Sequence, residues 1–225
     1  MSRLLAALLT VGLCSFSFCL QAAEPVDKPD TLMSVAGKLI FSDNFDKPLA
    51  KPWRKLKGRW DIVDGVIQGA ELAADKHGAV MRMPTPVHNV VVQYEFMLQG
   101  TKMTSFSFND AKGHCCRVLI NSKGIVARKD MHKKIAGNKP VTLQKTNVKI
   151  ANGQWHKLVI EIQGSEMLVR LDGKQTAYGS HAEIDVDKNN LGLTVSGASA
   201  SFKNLRIWEA TPKKEWPANK AKLVK

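Results

Sequence analysis

The chain has 225 residues, a formal net charge of +13 and four cysteines. This length suits one sandwich-type domain with its own core, and the few cysteines exclude a disulfide scaffold. The basic excess favours anionic partners or forms a solvated surface, and no nucleic-acid-binding motif accompanies it.

The N-terminus has the pattern of a secretory signal. Arg3 precedes an apolar run over 4–20, and small residues follow at Ala22 and Ala23. We therefore predict a signal peptide over residues 1–23 and a periplasmic or extracellular protein. An uncleaved anchor is the alternative, because about 17 apolar residues is the short limit of a spanning helix. No second long apolar run follows, so the mature chain is expected to have no membrane span.

In the rest of the chain, turn residues recur at intervals that are typical of an all-β protein. Residues 24–37 are polar and contain two prolines, which predicts a mobile leader before a domain over 38–210 and a basic tail over 211–225. Ala70 to Asp75 is long enough for one helical turn. Strands are predicted, in chain order, at 38–41, 58–69 (a hairpin), 80–83, 90–98, 105–109, 114–120, 124–129, within 141–150, 152–174 (a hairpin), 191–196 and 200–208.

Two of these segments carry the strand prediction most clearly. In the segment 152–174, apolar residues alternate before and after a Gly-bearing turn, and Asp172-Gly173 marks the next tight turn. In Val90 to Leu98 the apolar residues alternate with Gln93 and Glu95, which predicts one buried and one wet face. Many short strands separated by turn residues predict a sandwich or jelly roll.

Four segments, taken in order, resemble a known superfamily. They are FSDNF at 41–45, GRWDIVDGVIQG at 58–69, WHKL at 155–158 with LDG at 171–173, and FKNLRIW at 202–208. Together they resemble the concanavalin A-like lectin/glucanase superfamily and, within it, the bacterial 3-keto-disaccharide hydrolase domain. The resemblance covers about 39–210. It implies an all-β, concanavalin A-like jelly-roll sandwich of two curved antiparallel sheets, with a glycan-related groove on the concave sheet.

Sugar cleavage usually needs two carboxylates that flank the bond. The segment from Glu183 to Asp187 is similar to the acidic motif of the superfamily's glucanases, but its last acid is one methylene short and it lies near the chain end. We interpret it as an ordinary loop. Glu95, on the wet face of a strong strand, is the better catalytic candidate, and Glu161 is the only other strand carboxylate considered.

The same wet face is the predicted carbohydrate-binding surface. Neighbouring strands could bring polar residues beside Glu95, and Trp53 lies in a polar loop where its ring could stack on a sugar. The alternative is a cross-strand ion pair between Glu95 and an arginine. The predicted binding residues are Gln93, Glu95, Ser107, Asn109, Arg117, Arg128 and Trp53.

No metal or cofactor site is predicted. Neighbouring strand residues face opposite ways, so His114, Cys115 and Cys116 cannot all bind one ion, and we expect Cys116 in the core and Cys115 on the wet face. The superfamily resemblance allows a structural calcium, but no ligand loop supports one. The aspartates considered for it are Asp43, Asp46, Asp61 and Asp64.

Three functions follow from this sequence. The first is an exported module that binds a glycan on its concave sheet without a recognisable catalytic pair. The alternative is a hydrolase or lyase acting on a 3-keto disaccharide or glycoside. The third is a basic protein that binds an anionic envelope polysaccharide. No nucleic-acid partner is expected.

Overall fold

This computed structural model describes residues 27–132 and 134–223, so the predicted signal peptide lies outside the described residues. Within them the chain forms thirteen strands and one short α-helix, α1 (Trp216–Leu223). The strands are β1 (Ser34–Asp43), β2 (Arg54–Lys57), β3 (Arg59–Val63), β4 (Val66–Ala70), β5 (Ala79–Val87), β6 (Val90–Asp110), β7 (Gly113–Asn121), β8 (Gly124–Lys129), β9 (Val141–Asn147), β10 (Trp155–Gln163), β11 (Glu166–Leu171), β12 (Gln175–Ser180) and β13 (Lys188–Pro212). No helix in these ranges is both long enough and apolar enough to cross a membrane.

The strands pair antiparallel, and β6 and β13 are neighbours along nearly their whole length. The first half of β6 continues through β10 and β11 to β12, and the second half of β13 continues to β1 and to the β3–β4 hairpin. We call this the first layer. The second half of β6 continues through β7 and β8 to β9, and the first half of β13 continues through β5 to β2, which forms the second layer.

The two layers face each other because β6 and β13 bend midway. The bends lie near Gly100 and Gly197, which adopt positive φ angles of 75° and 89° that suit glycine. Tyr94 and Phe106 belong to the two halves of the same strand, yet their rings stack with centroids 5.5 Å apart. The structure is therefore an all-β, concanavalin A-like jelly-roll sandwich, as predicted.

The core between the layers consists of side chains from alternate strand residues, which point inward. Along β6 the apolar residues at even positions from Val90 to Leu98 are buried, as their spacing predicts. The segments 90–98 and 105–109, predicted as separate strands, form the single strand β6. In the same way 191–196 and 200–208 are both parts of β13, since the glycines between them bend the chain without ending the strand.

Cys115 departs from the predicted alternation. The register between β6 and β7 shifts after the Phe108–Cys116 pair, so that His114 pairs with Asn109 and Cys115 occupies a bulge. Both cysteines are buried and both thiols are free. The expectation that Cys115 is a wet-face thiol is therefore wrong.

The segment before β1 packs against the outer face of the first layer. The strand begins at Ser34, four residues before the predicted start. The fully buried carboxylate of Glu161 accepts hydrogen bonds from the backbone N–H groups of Leu32, Met33 and Ser34, at 2.9, 2.8 and 2.6 Å. Burial raises the pKa of Glu161, and these hydrogen bonds oppose that rise. Glu161 thus tethers the segment just before β1 to the first layer.

Helix α1, within the predicted tail, covers a neighbouring part of the same face. The indole Nε1 of Trp216 donates to Glu166 at 2.9 Å, and the ammonium of Lys220 donates to the same carboxylate at 2.6 Å. Burial acts to raise the pKa of Glu166, but hydrogen bonds from Lys220, Tyr178 and Trp216 outweigh it and lower that pKa. The segment just before β1 and helix α1 therefore both pack on the outside of the first layer.

We expect Glu161→Ala to lower the free energy of unfolding by about 3 kcal/mol, because it leaves three buried N–H groups without an acceptor. Urea denaturation measures the change. The control is Glu209→Ala, which removes an exposed glutamate of β13 and is expected to change stability by less than about 0.5 kcal/mol. Equal losses in the two variants would contradict the tethering role.

Candidate functional site

The structure separates the predicted binding residues into three places. Gln93 and Glu95 lie on the outer face of the first layer, whereas Ser107 and Asn109 belong to the half of β6 in the second layer. Because the inward residues of the two halves meet across the core, their outward residues face away from each other. The expectation that Glu95 and Arg117 share one face is therefore wrong.

Glu95 is held in contacts within the first layer. Its carboxylate accepts a hydrogen bond from Asn204 at 2.9 Å and lies 3.4 Å from the ammonium of Lys203. That ammonium also lies 4.2 Å from the ring centroid of Trp155. Glu95 thus forms the cross-strand ion pair considered above, with a lysine instead of an arginine. Glu161 cannot act as a second acid beside Glu95, because Glu161 is buried beneath the segment just before β1.

Trp53 lies in the loop between β1 and β2 and is partly buried. Its indole Nε1 donates to Asp43 at 2.7 Å, and its ring packs against Phe41 and Phe45 with centroids 5.7 and 5.8 Å away. The other oxygen of Asp43 accepts the backbone N–H of Phe45 at 2.7 Å.

Within residues 27–132 and 134–223, no group of three or more His, Cys, Asp or Glu side chains is arranged to hold a metal ion.

The acidic segment resembling a glucanase motif lies between β12 and β13 and makes structural contacts. Glu183 accepts from the ammonium of Lys129 at 2.7 Å and from the amide of Asn138 at 2.9 Å. The ring of His88 bridges Asp185 and Asp187, at 2.9 and 2.7 Å. Its acids therefore hold connecting segments in place, in agreement with the loop interpretation.

A cleft of about 300 Å³ opens on the outer face of the second layer. Its lining residues come from β2, β5, β7 and β13 and from the loop before β5. The register places one polar row across the layer: Arg117 pairs with Ser107, Ser107 with Gly192, and Gly192 with Arg82. The cleft combines cationic, hydrogen-bonding and apolar side chains. Its lining consists of Leu56, Lys57, His77, Val80, Arg82, His114, Arg117 and Thr194.

Arg82 lies across the neighbouring strand because Gly192 leaves room for it. A Cβ at Gly192 would come within 2.7 Å of Arg82 Cδ and 2.9 Å of its Nη1. Through that space Nη1 donates a hydrogen bond to the buried hydroxyl of Ser107. The absence of a side chain at Gly192 and the hydroxyl of Ser107 together fix the guanidinium at the cleft.

Asp130 is the counter-ion beside the cleft and is shared between two arginines. Arg117 Nε donates to one oxygen of this carboxylate, and Arg128 Nε lies 3.1 Å from the other. Asp130 is only 2% exposed, so it does not itself line the cleft. Burial, followed by the positive charge of Arg117, lowers the pKa of Arg82 to about 10, and the negative charge of Asp130 opposes this shift.

Two histidines complete the polar lining. His114 Nδ1 lies 2.6 Å from Asn109 Oδ1, and because an amide oxygen only accepts, Nδ1 carries the proton of that bond. His77 Nδ1 lies 2.8 Å from the carbonyl oxygen of Gly78, which fixes its tautomer in the same way. Asn109, predicted as a binding residue, is itself buried and orients His114.

Of the predicted residues, only Arg117 lines this cleft. Ser107, Asn109 and Arg128 contact the residues that line it or its counter-ion, and Arg82 was missed. A signal for Arg82 was present, since it alternates with the core residues Met81 and Met83 within a predicted strand. The partner that makes it useful, Gly192, lies 110 residues away and carries no local signal.

Comparisons with known proteins agree with the fold. A family model described as a 3-keto-alpha-glucoside-1,2-lyase-like domain matches residues 41–208. The carbohydrate-binding module CBM66 from Bacillus subtilis is 14% identical with a TM-score of 0.58, covering 70% of this chain and 95% of that one. A beta-glucanase from Bacillus licheniformis is 9% identical with a TM-score of 0.56, covering 77% and 98%. A Bacillus subtilis protein of unknown function with a galectin-like fold is 10% identical with a TM-score of 0.59, covering 80% and 100%. Comparison with curated protein sequences gave no match.

We expect Asp130→Asn to lower the free energy of unfolding by about 3 kcal/mol, because it removes the negative charge that Arg117 and Arg128 share in a buried position. The matched control is Asp61→Asn, whose ion pair with Arg59 at 3.1 Å is more than half exposed. That change should cost about 0.5 kcal/mol or less. Chemical denaturation measures both, and a small loss for Asp130→Asn would show that the arginines need no internal counter-ion.

Proposed function

Because the chain belongs to the family of 3-keto-alpha-glucoside-1,2-lyase-like domains, we propose that it binds a glycan in the cleft of the second layer. The observation that carries this proposal is the composition of the cleft wall. Guanidinium donors of Arg82 and Arg117 and the imidazole ring of His114 lie there together with the apolar side chains of Leu56 and Val80. Ligand sites for small polar molecules combine apolar contact area with a few fixed polar groups in this way.

The cleft suits a sugar because a sugar ring has both polar and apolar surfaces. Its hydroxyl groups accept and donate hydrogen bonds, while its C–H faces need apolar contact. Arg82 is already fixed by Ser107, and His114 by Asn109, so little side-chain freedom would be lost on binding. A fold shared with a carbohydrate-binding module supports the proposal at the level of fold alone.

The charges of the cleft favour binding over hydrolysis. Hydrolysis of a glycosidic bond usually uses two carboxylates that flank it, one of which gives or takes a proton. Here the residues that line the cleft are cationic, neutral or apolar, and the nearby carboxylate of Asp130 is engaged by two arginines.

The N-terminal signal pattern supports the further proposal that the protein binds its glycan outside the cytoplasm. Measuring the mass of the mature chain, which shows whether the signal peptide has been removed, would test this proposal.

We expect Leu56→Asp to weaken glycan binding about tenfold or more, because it replaces an apolar contact at the edge of the cleft with a charge. Binding is measured by calorimetry against the oligosaccharides that bind the unaltered protein in a glycan array. Leu56 is 58% exposed on an edge strand, so the fold should tolerate the change.

The matched control is Val63→Asp, which alters an apolar residue 59% exposed in β3 of the first layer. It should leave affinity unchanged. If both variants lose affinity equally, or if binding disappears for every sugar in moderate salt, the protein is a polyelectrolyte binder without a specific cleft.

A second candidate function is elimination from a 3-keto glycoside, favoured by the family match and by the histidines in the cleft. In this reaction a base removes the proton at C2, which the neighbouring ketone makes acidic. The C–H electron pair forms the C1=C2 double bond as the C1–O bond breaks, and the departing oxygen takes up a proton. His114 would be the base and Arg82 would stabilise the charge on the ketone oxygen.

The elimination candidate predicts release of nitrophenol from a nitrophenyl 3-keto-α-glucoside, together with an unsaturated sugar. His114→Gln should lower the rate about a hundredfold or more by removing the base. His88→Gln, which changes an exposed histidine held by Asp185 and Asp187, is the control and should keep the rate. A wild-type protein without turnover would exclude this candidate, and loss of turnover in Glu95→Gln would move the site to the first layer.

A further inference from the structure

The arginine cluster of the cleft has more positive charge than its own carboxylate can balance. Arg82, Arg117 and Arg128 lie along one row of the second layer with Asp130 as their counter-ion. Three guanidinium groups and one carboxylate leave a formal excess of two positive charges. This excess is local and comes from side chains that the fold holds in place.

Arg82 is the member of the cluster without an acidic partner. Within residues 27–132 and 134–223, no carboxylate lies within ion-pairing distance of it, and its hydrogen bond goes to the neutral hydroxyl of Ser107. Asp130, the acid whose charge acts on Arg82, is shared by the other two arginines. Asp75, which precedes β5, accepts the backbone N–H of Gly58 at 2.6 Å. Arg82 is a largely buried cation beside a second cation.

The surroundings add to this charge instead of neutralising it. Arg54 pairs with Arg82 across the β2–β5 edge, and Lys57 lines the same cleft. A partly buried cation with cationic neighbours is costly unless an anion compensates it. Among the described residues, those that line the cleft include no carboxylate that could supply this anion.

We propose that the cleft selects glycans carrying a negatively charged substituent, which Arg82 and Arg117 bind. This inference rests on the proposed function and names its ligand class. A carboxylate of a uronic acid and a sulfate ester share the required chemistry, since both present two or more oxygens to a guanidinium fork. Arg82 keeps donors for such a group because Ser107 takes the hydrogen bond of one nitrogen, Nη1.

The experiment measures affinity by calorimetry, in 150 mM salt, for oligosaccharides in matched neutral, carboxylated and sulfated forms on several sugar backbones. One set is galactotriose, trigalacturonate and galactotriose sulfated at O6. We expect the charged forms to bind at least about tenfold more tightly than the neutral form of the same backbone. The carboxylated and sulfated arms identify which of the two sources the cleft prefers.

Arg82→Met should reduce affinity for the charged forms by roughly tenfold to a hundredfold and affinity for the neutral form by less, because the neutral form loses hydrogen bonds without the charge, so the preference for charged forms should fall. Arg59→Met is the control for net charge, because Arg59 lies in β3 and is 60% exposed. Arg82→Lys keeps the charge but loses the planar fork, so it should retain part of the preference. Thermal unfolding confirms that each variant is folded, and Arg82→Lys provides the test if Arg82→Met is not.

The outcomes separate this inference from the proposed function. Tight binding of neutral forms without preference for charge overturns the inference and leaves glycan binding standing. Equal losses in Arg82→Met and Arg59→Met overturn it as well, because they indicate attraction by overall charge. If no sugar of any form binds, both the inference and the proposed function are wrong.

Discussion

The bend in β6 and β13 is the constraint on which the other features depend. Each strand crosses from one layer to the other, so a single pair of neighbours builds the middle of both sheets. Gly100 and Gly197 permit the change of direction, and the stacked rings of Tyr94 and Phe106 hold the halves together across the core. Without the bend, the outward residues of β6 would lie on one continuous face. With it, they form two surfaces on opposite sides of the molecule.

The two surfaces have different roles because they are covered differently. The outer face of the first layer is covered by the segment just before β1 and by helix α1. The carboxylates of Glu161 and Glu166 hold them there. The outer face of the second layer has an open cleft and a row of arginines. A buried carboxylate that accepts three backbone N–H groups is a structural device. A partly buried guanidinium without a carboxylate partner, such as that of Arg82, has hydrogen-bond donors left for a ligand.

Local patterns in the sequence predict the strands and the direction of their side chains, but not the partners of bent strands. The alternation from Val90 to Leu98 and the turn at Asp172-Gly173 are local, and both agree with the structure. The separation of Glu95 from Ser107 depends on a bend whose only local mark is one glycine. The bulge at Cys115 depends on the register with a neighbouring strand. The position of the Arg82 side chain depends on Gly192 and Ser107. These residues lie beside Arg82 only because of the order of the strands in the sheet.

The distribution of arginine and lysine explains how a basic protein can still be selective. The chain has 33 basic residues against 20 acidic ones, and most of the excess is lysine on exposed segments. Exposed lysines attract any anion over a distance that salt screens, whereas a guanidinium fixed at a cleft binds a planar acid with defined geometry. Three of the eight arginines meet in one row of the second layer, around the single carboxylate of Asp130. The overall charge would therefore bring an acidic glycan to the surface, and the arginine row would determine where it binds.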